Sequence, residues 1–476
     1  MLTRDQAAEI FSRIRKYATT DEVECLFSGG RSALTRFANN TIHQNMAEEN
    51  YGISVRTAFG GRTARATTNK FDDESLKDVV SASESLARVQ EPDPDLLPMP
   101  SQEESEGMDS HGSSPPNGGA AGRRPKLPSR YFQETANLTP AERADAVGQI
   151  VAIAQKRNFI AAGIFSSSET LEGIFNSRGL SAWHTQTSAE ISITMLAEDS
   201  SGWQKANSPD IAKLSPAHLA QIAAEKAARS AGPREIAPGR YTVILEPAAV
   251  LDTVGFAFYD FGGLAILDQR SFLNNRIGTK LFGENISIWD DVSHPLQSGP
   301  PFDGEGVPRE RVQLVEKGVV KRLVYSRGSA SKMSRSAYRD KVGPIHTTGH
   351  GFPIPNEIGE APMNIVFEKQ DEPATVEQMI DSTDRGILVT RLWYIREVDP
   401  YEKILTGMTR DGTFLIENGE VVCGLRNFRF NQSLIEMLSH VEAMSPPVRT
   451  SGEESFDMVV PAMKVGDFNF TEVTRF

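Results

Sequence analysis

Ile53-Ser54-Val55-Arg56-Thr57-Ala58-Phe59-Gly60-Gly61-Arg62-Thr63-Ala64-Arg65-Ala66-Thr67-Thr68 is the stretch that decides the fold. Two strand-like runs, 53–59 and 62–68, meet across Gly60-Gly61, a dipeptide that enters tight hairpin turns without a Cβ penalty. Upstream, Val23, Cys25 and Phe27 alternate with polar neighbours and extend the same sheet. Helices flank these strands. Thr3 and Gln6 stand at capping-box spacing before Ala7, Ile10, Phe11, Ile14 and Tyr17. A second helix fits 74–89, with Leu76, Val79, Val80 and Leu86 on one side.

The plan then repeats. Thr139-Pro140-Ala141-Glu142 caps a helix carrying Ala146, Val147, Ile150, Val151 and Ala154. Strand residues Ile164, Phe165, Ile174, Phe175 and 191–195 follow. Ser215-Pro216 opens a helix with Leu219, Ile222 and Ala223 inside, ended by Gly232-Pro233. Phe27-Ser28 matches Phe165-Ser166, Phe37-Ala38-Asn39 resembles Ile174-Phe175-Asn176, and Ile53-Ser54-Val55 matches Ile191-Ser192-Ile193. The first and last pairs share one offset, the mark of a divergent repeat; two unrelated α+β segments are the alternative. Residues 91–130 are rich in Pro, Gly and Ser, a composition that buries too little surface to offset its ordering entropy.

Beyond Pro238 the pattern is β-rich. Tyr241, Val243 and Leu245 alternate, and 312–315, 319–325, 387–394 and 413–422 read as strands, with turns at Lys317-Gly318 and Asn418-Gly419. Residues 432–443 fit a short helix. Pro and Gly in 298–306 and 343–362 predict long loops beside a cleft. The sum is an α+β protein: helix–antiparallel-strand–helix units at 1–90 and 131–235, a flexible insertion at 91–130, and a C-terminal β-rich domain with mixed or antiparallel sheets at 236–476.

Composition narrows the function classes. A formal net charge of -13 disfavours direct contact with nucleic acid or an anionic membrane. Cys25 and Cys423 lie too far apart for a disulfide framework or a CxxC knuckle, so a reducing compartment, the cytoplasm, is expected. The first residues show no signal-peptide pattern, and the most apolar stretch, 241–267, is broken by Glu246, Asp252 and Asp260.

Several ordered fragments resemble the TldD/PmbA family, also called modulators of DNA gyrase. They are Phe175-Asn176-Ser177-Arg178-Gly179-Leu180, Ser201-Gly202-Trp203, the run 238–247 (PGRYTVILEP), the run 301–308 (PFDGEGVP), Arg391-Leu392-Trp393-Tyr394, and Asp411-Gly412-Thr413-Phe414 leading to Ile416-Glu417-Asn418-Gly419. The resemblance implies a dimeric protease of unstructured peptides. Its active subunit, TldD, binds zinc through a His-Glu-x-x-x-His helix and a later cysteine; its partner, TldE (PmbA), shares the fold without those ligands.

In the family the zinc motif follows the strand resembling 241–247. Here that stretch reads AAVLDTVGFAFYD, 248–260, with no histidine, and Asp252 and Asp260 alone are poor zinc donors. The reading is a buried apolar helix with Val250, Val254 and Phe258 on one side. His346 and His350 are four apart in GPIHTTGHGFPIP, but the surrounding Gly and Pro disfavour a helix, so they read as loop residues lining the cleft, with loop ligation of a metal left open. Cys423 reads as a packed small hydrophobe, and no later cysteine follows. Asp303 and Glu305 could pair as acid and base, but in a PFDGEGVP turn they are expected to be turn and solvent residues. The run 326–332, SRGSASK, has no recognisable base, and Gly60-Gly61 and Gly262-Gly263 lack the Lys-Ser/Thr of a phosphate loop. Arg391, Tyr394, Arg396, His346 and His350 are candidate peptide contacts, through strand addition if 391–396 lies at a sheet edge, while Leu392 and Trp393 read equally as core.

The expectation is therefore a TldE-like subunit with no catalytic or metal-ligating residue and no cofactor of its own. Zinc is expected in a TldD-like partner, as heterodimer or homodimer, with peptide as substrate. Alternatives are a stand-alone hydrolase using His346, His350 and Cys423, or a non-proteolytic modulator.

Overall fold

The computed structural model describes residues 1–107 and 127–474. The centre of the predicted insertion, 108–126, lies outside the described residues. Its flanks are packed: Met99, Ser105 and Arg130 are buried, and Asn176 donates its side-chain amide to the Pro100 carbonyl at 2.7 Å.

Two copies of one unit build the first sheet. In the first, α1 (Arg4–Tyr17) leads to β1 (Glu22–Ala38), β2 (Thr41–Phe59), β3 (Arg62–Thr68) and α2 (Asp73–Val89). After α3 (Gln102–Gly107) and α4 (Gln133–Ala136), the second runs α5 (Pro140–Lys156), β4 (Ile160–Asn176), β5 (Ser181–Leu196), β6 (Ser201–Ser208) and α6 (Pro216–Arg229). Both predicted capping boxes form, at Thr3/Gln6 and Thr139/Glu142. The strand order β3-β2-β1-β4-β5-β6 is symmetric about the β1–β4 pair, whose strands are each 17 residues long and antiparallel from Glu24↔Asn176 to Phe37↔Gly163.

Helices α1 and α2 pack on Val23, Cys25, Phe27, Ile53 and Val55, and α5 and α6 on Phe37, Phe165, Ile191 and Ile193. These β1 residues are odd-numbered, so both helix pairs cover the same face. The opposite face meets the C-terminal domain, where Leu26, Ile174 and Ala182 pack against Phe302. Leu86 departs from its expected inward place and is 47% exposed; α2 buries Leu76, Val79, Val80, Ser83 and Ala87 instead.

The C-terminal domain carries two sheets. Strand β7 (Gly239–Leu245) leads through α7 (Pro247–Val254) and a 3-10 segment (Gly255–Phe261) to α8 (Gly263–Leu267). Next come β8 (Ile288–Asp290), β9 (Val312–Glu316), β10 (Val319–Val320), α9 (Arg327–Ser334), β11 (Ile365–Phe367) and α10 (Val376–Asp381). Then follow β12 (Arg385–Asp399), β13 (Ile404–Glu417), β14 (Glu420–Gly424), β15 (Phe428–Ser433), α11 (Leu434–Ser439) and β16 (Val441–Met444). The last strands are β17 (Val448–Thr450), β18 (Met458–Val460) and β19 (Met463–Val473). One sheet runs β10-β9-β8-β11-β18-β17; the other runs β12-β7-β19-β15-β13-β14, and β12 also pairs with β13. That extra pairing closes β12, β7, β19, β15 and β13 into a ring filled by Val243, Leu245, Ile387, Val389, Phe428, Phe430 and Val465. The domain is mixed, since β12 runs parallel to β7 and β11 to β18.

Three predicted elements are shorter or differently placed. The strand expected over 319–325 ends at Val320, because Val324 bridges Gly262 instead of continuing the ladder. The helix expected over 432–443 is confined to α11, its flanks being taken by β15 and β16. Strand β12 is paired with β13 along most of its length, and the register shifts between Trp393 and Arg396, where Tyr394 takes φ 55°. The bulge breaks the expected alternation: Leu392 and Ile395 are both fully buried, whereas Tyr394 is exposed. Strand addition along 391–396 is therefore not offered by a regular edge.

Candidate functional site

The turn from β7 into α7 places Glu246 and Pro247 at the helix start, Pro at a first-turn position where its missing N–H costs nothing. Val250, Val254 and Phe258 are buried in the domain core, as the spacing predicts. Both carboxylates of the segment are buried and committed. Asp252 Oδ1 accepts the backbone N–H groups of Glu453 at 3.1 Å and Glu454 at 3.0 Å. Burial pushes its carboxyl up to about 7, against the opposing pull of those two donors. Asp260 faces Lys403 at 2.6 Å and accepts the Phe272 N–H at 3.1 Å; burial raises its pKa and Lys403 opposes the rise.

A cleft of ≈ 550 Å³ opens over this segment, lined by Gly255, Phe256, Tyr259, Asp260, Arg270, Met363, Glu397, Pro400, Lys403, Glu454, Ser455 and Phe456. Lys403 spans its floor, reaching Glu397 at 2.6 Å as well as Asp260. Gly255 lets the 3-10 segment approach Ser455, whose Oγ would lie 1.9 Å from a Cβ at that position. Tyr394 and Arg396 adjoin the cleft through its lining residue Glu454, which accepts the Tyr394 N–H at 2.6 Å and meets Arg396 at 3.7 Å; the Arg396 guanidinium lies over the Tyr394 ring at 4.4 Å. A half-buried cleft with aromatic walls and charged floor can hold a peptide side chain by packing and hydrogen bonding.

Arg391, predicted beside them, is elsewhere. It is buried, ion-paired with Asp411, and lies over the rings of Trp203 at 4.6 Å and Trp393 at 5.4 Å. Ser201 donates to the same Asp411 at 2.6 Å, so the cluster fastens β6 to the barrel.

The two loop histidines also separate. His350 is fully buried, its Nε2 3.0 Å from Asp290 and its Nδ1 2.9 Å from Thr348 Oγ1. Burial alone would raise the Asp290 carboxyl, yet His350 holds it below the ordinary range. His346 is partly exposed and meets Glu310 at 2.7 Å. Cys423 sits on β14 opposite Leu415, half-buried against the barrel core. Among the described residues no group of three or more His, Cys, Asp or Glu side chains is arranged to hold a metal. A zinc centre needs imidazole or thiolate donors with an open position; α7 and its 3-10 extension supply none, so the residues present do not fit one.

One buried pair escaped the sequence reading. Asp303 and Glu305 are each only 3% exposed rather than solvent-facing. Asp303 Oδ1 accepts the N–H groups of Glu305 and Val307, both at 2.9 Å, and Oδ2 that of Gly351 at 2.7 Å. Burial, then the neighbouring Asp303, pushes Glu305 up to about 7. The PFDGEGVP turn forms as its composition predicts, but nothing local reveals that Gly351 and Arg327 close over it.

Three descriptions of PmbA/TldA metallopeptidases match this chain in order: domain 1 over residues 23–87, the central domain over 133–231 and the C-terminal domain over 238–472. The chain thus has the architecture of a metallopeptidase-like protein. It belongs to the TldD/PmbA family. An uncharacterised protein of Methanocaldococcus jannaschii is 23% identical over 320 residues, 66% of this chain and 70% of that one. The metalloprotease PmbA of Escherichia coli O157:H7 is 20% identical over 313 residues, 64% of each. TldE from Thermococcus kodakarensis superposes with a TM-score of 0.80 at 19% identity, covering 98% of this chain and 100% of that one. A modulator-of-DNA-gyrase protein from Thermotoga maritima gives 0.80 at 18% identity, with coverage of 98% and 100%. Among the described residues, no helix is long and apolar enough to cross a membrane.

Proposed function

We propose that this chain is the TldE-like, zinc-free subunit of a two-chain peptidase, pairing with a TldD-like zinc subunit and lending its α7 cleft to the enclosure of an unstructured peptide. One observation carries the reading: where the family's zinc helix falls, this chain has a buried helix without imidazole or thiolate, Asp252 Oδ1 taken by Glu453 and Glu454 and Asp260 paired with Lys403. Tyr394 and Arg396, adjoining the cleft, are the peptide-contacting residues. Arg391 and His350, being buried, act on peptide only through the packing of the elements they join. Both thiols are free, which suits a reducing cytoplasm.

Coexpression with a His-Glu-x-x-x-His homologue from the native host tests the proposal. The two chains copurify, zinc follows the partner when they are separated, and cleavage of a casein-like peptide needs both. Tyr394→Ala and Arg396→Ala raise KM for the peptide about threefold to tenfold while the complex stays assembled. Stoichiometric zinc retained by this chain purified alone would sink the proposal.

A further inference from the structure

A second cavity, of ≈ 270 Å³, lies between the segment after α2 and the start of α9, and shares no lining residue with the α7 cleft. Its size is near the low end for small-molecule sites, suited to a single side chain or a ligand of a few heavy atoms. Leu264, Phe352 and Ile354 supply apolar wall. Its ionisable lining comprises Glu91, Asp93, Asp95 and Glu305 against one cation, Lys332. Lys332 is 3.9 Å from Asp95, which Arg335 also meets at 2.8 Å. Asp95 is thereby matched and Glu305 is paired with Arg327 at 3.6 Å, so the excess negative charge of the lining rests on Glu91 and Asp93.

Glu305 gives the cavity its specific acceptor. The side chain is 4% exposed and lines the cavity. Its Oε1 accepts the Arg327 N–H at 3.0 Å. Its Oε2 receives no hydrogen bond from the described residues, and Nη1 of Arg327 stays 3.6 Å away. A carboxylate removed from water has strong reason to take further donors. An anion is disfavoured by the lining carboxylates, and two N–H groups in the first turn of α9 are already used: Arg327 N–H by Glu305 and Ser329 N–H by Ser326 Oγ at 3.1 Å.

We propose that this cavity binds an aliphatic ammonium ion, the apolar wall taking a short hydrocarbon stem and Glu305 the charged head. A lysine side chain and a free diamine share that chemistry. Ionised Glu305 is the form that binds. The groups facing it are Asp303 on its own loop, Arg327 from α9 and Arg56 from β2. Burial and Asp303 keep Glu305 partly protonated up to about 7, so affinity rises as pH climbs through that value.

Isothermal titration of the full chain with 1,5-diaminopentane, Nα-acetyl-lysine amide, 1-pentanol and pentanoate tests the site. Two variants accompany the wild type. Glu305→Gln removes the charge; Gly328→Leu fills the cavity from a position whose added Cβ meets nothing within 4 Å, which keeps the fold. Saturable binding of either amine is expected, at least about tenfold tighter than the alcohol or the carboxylate and about tenfold weaker in each variant. Tighter binding of the lysine amide assigns the site to peptide, and of the diamine to a free amine. Affinity of the wild type increases from pH 6 to pH 8, and that of Glu305→Gln does not. Equal binding of 1-pentanol, unchanged affinity in Gly328→Leu, a pH-independent wild type, or no saturable binding of either amine overturns the proposal.

Discussion

Asp252 accepts the backbone N–H of Glu454 at 3.0 Å, and this bond ties α7 to the loop between β17 and β18. The same oxygen takes the Glu453 N–H, while Oδ2 has no hydrogen-bond partner among the described residues. The carboxyl therefore has one oxygen fully used and one buried without compensation, which is why burial dominates its titration.

Asp252→Asn keeps the acceptor and removes the buried charge. Because the folded pKa is raised to about 7, the native state holds a proton that the unfolded chain has released, and wild-type stability falls as pH rises from about 4 through 7. Urea unfolding at pH 5 and pH 8 is expected to show the Asn variant gaining on the wild type at the higher pH. Asp252→Ala, which strands two backbone donors, loses about 1–3 kcal/mol at both. Equal wild-type and Asn slopes with pH would show that Asp252 is not titrating in this range.

Arg391 and Asp411 are buried together between the central unit and the barrel. Arg391→Met is expected to cost about 3 kcal/mol or more, since Asp411 remains buried with its principal cation gone. The effect should appear as an earlier denaturation midpoint with altered tryptophan emission, because Trp203 and Trp393 both touch the guanidinium. A variant as stable as wild type would mean that the cluster opens to water.

Gly30 lies at the middle of the first sheet, where β1 is flanked by β2 and β4 and pairs with Asn50 and Thr170. Its φ is +153°, and a Cβ there would come within 1.9 Å of the Glu169 carbonyl oxygen. Gly30→Ala is expected to destabilise by about 1–3 kcal/mol through backbone strain, read as a loss in thermal midpoint. An unchanged midpoint would show that the strand shifts freely at its centre.

The parts of this fold that rest on neighbours in sequence were legible. Thr3 and Gln6 cap α1 through contacts three residues apart, and the Gly60-Gly61 hairpin needs only the strands it joins. That 248–260 contains no histidine is a fact of the sequence itself and needs no geometry. What escaped depends on distant partners. Asp303 and Gly351 are 48 positions apart, so a turn motif that is ordinarily solvated became a buried carboxyl site. The bulge at Tyr394 arises where β12 closes against β13, and no local pattern in RLWY announces it. Leu86 failed for a different reason: α2 has more apolar residues than its stripe against the sheet can cover.

His350 and His346 allow the last discrimination, because they share a motif and nothing else. His350 is enclosed with Asp290, whose other oxygen accepts the N–H groups of Met363 at 2.7 Å and Asn364 at 2.8 Å. Removing the imidazole leaves the Asp290 carboxyl buried without the neighbour that holds its pKa down, so His350→Ala is expected to cost about 3–5 kcal/mol. His346 is 34% exposed against a Glu310 that is 35% exposed, and solvent screens such pairs; His346→Ala should stay within about 1 kcal/mol of wild type. Denaturant titration of both variants checks the contrast. Peptide cleavage by the reconstituted complex, normalised to folded protein, should be unchanged in either. A stand-alone hydrolase built on these histidines predicts the reverse for His350→Ala: normal stability with abolished turnover.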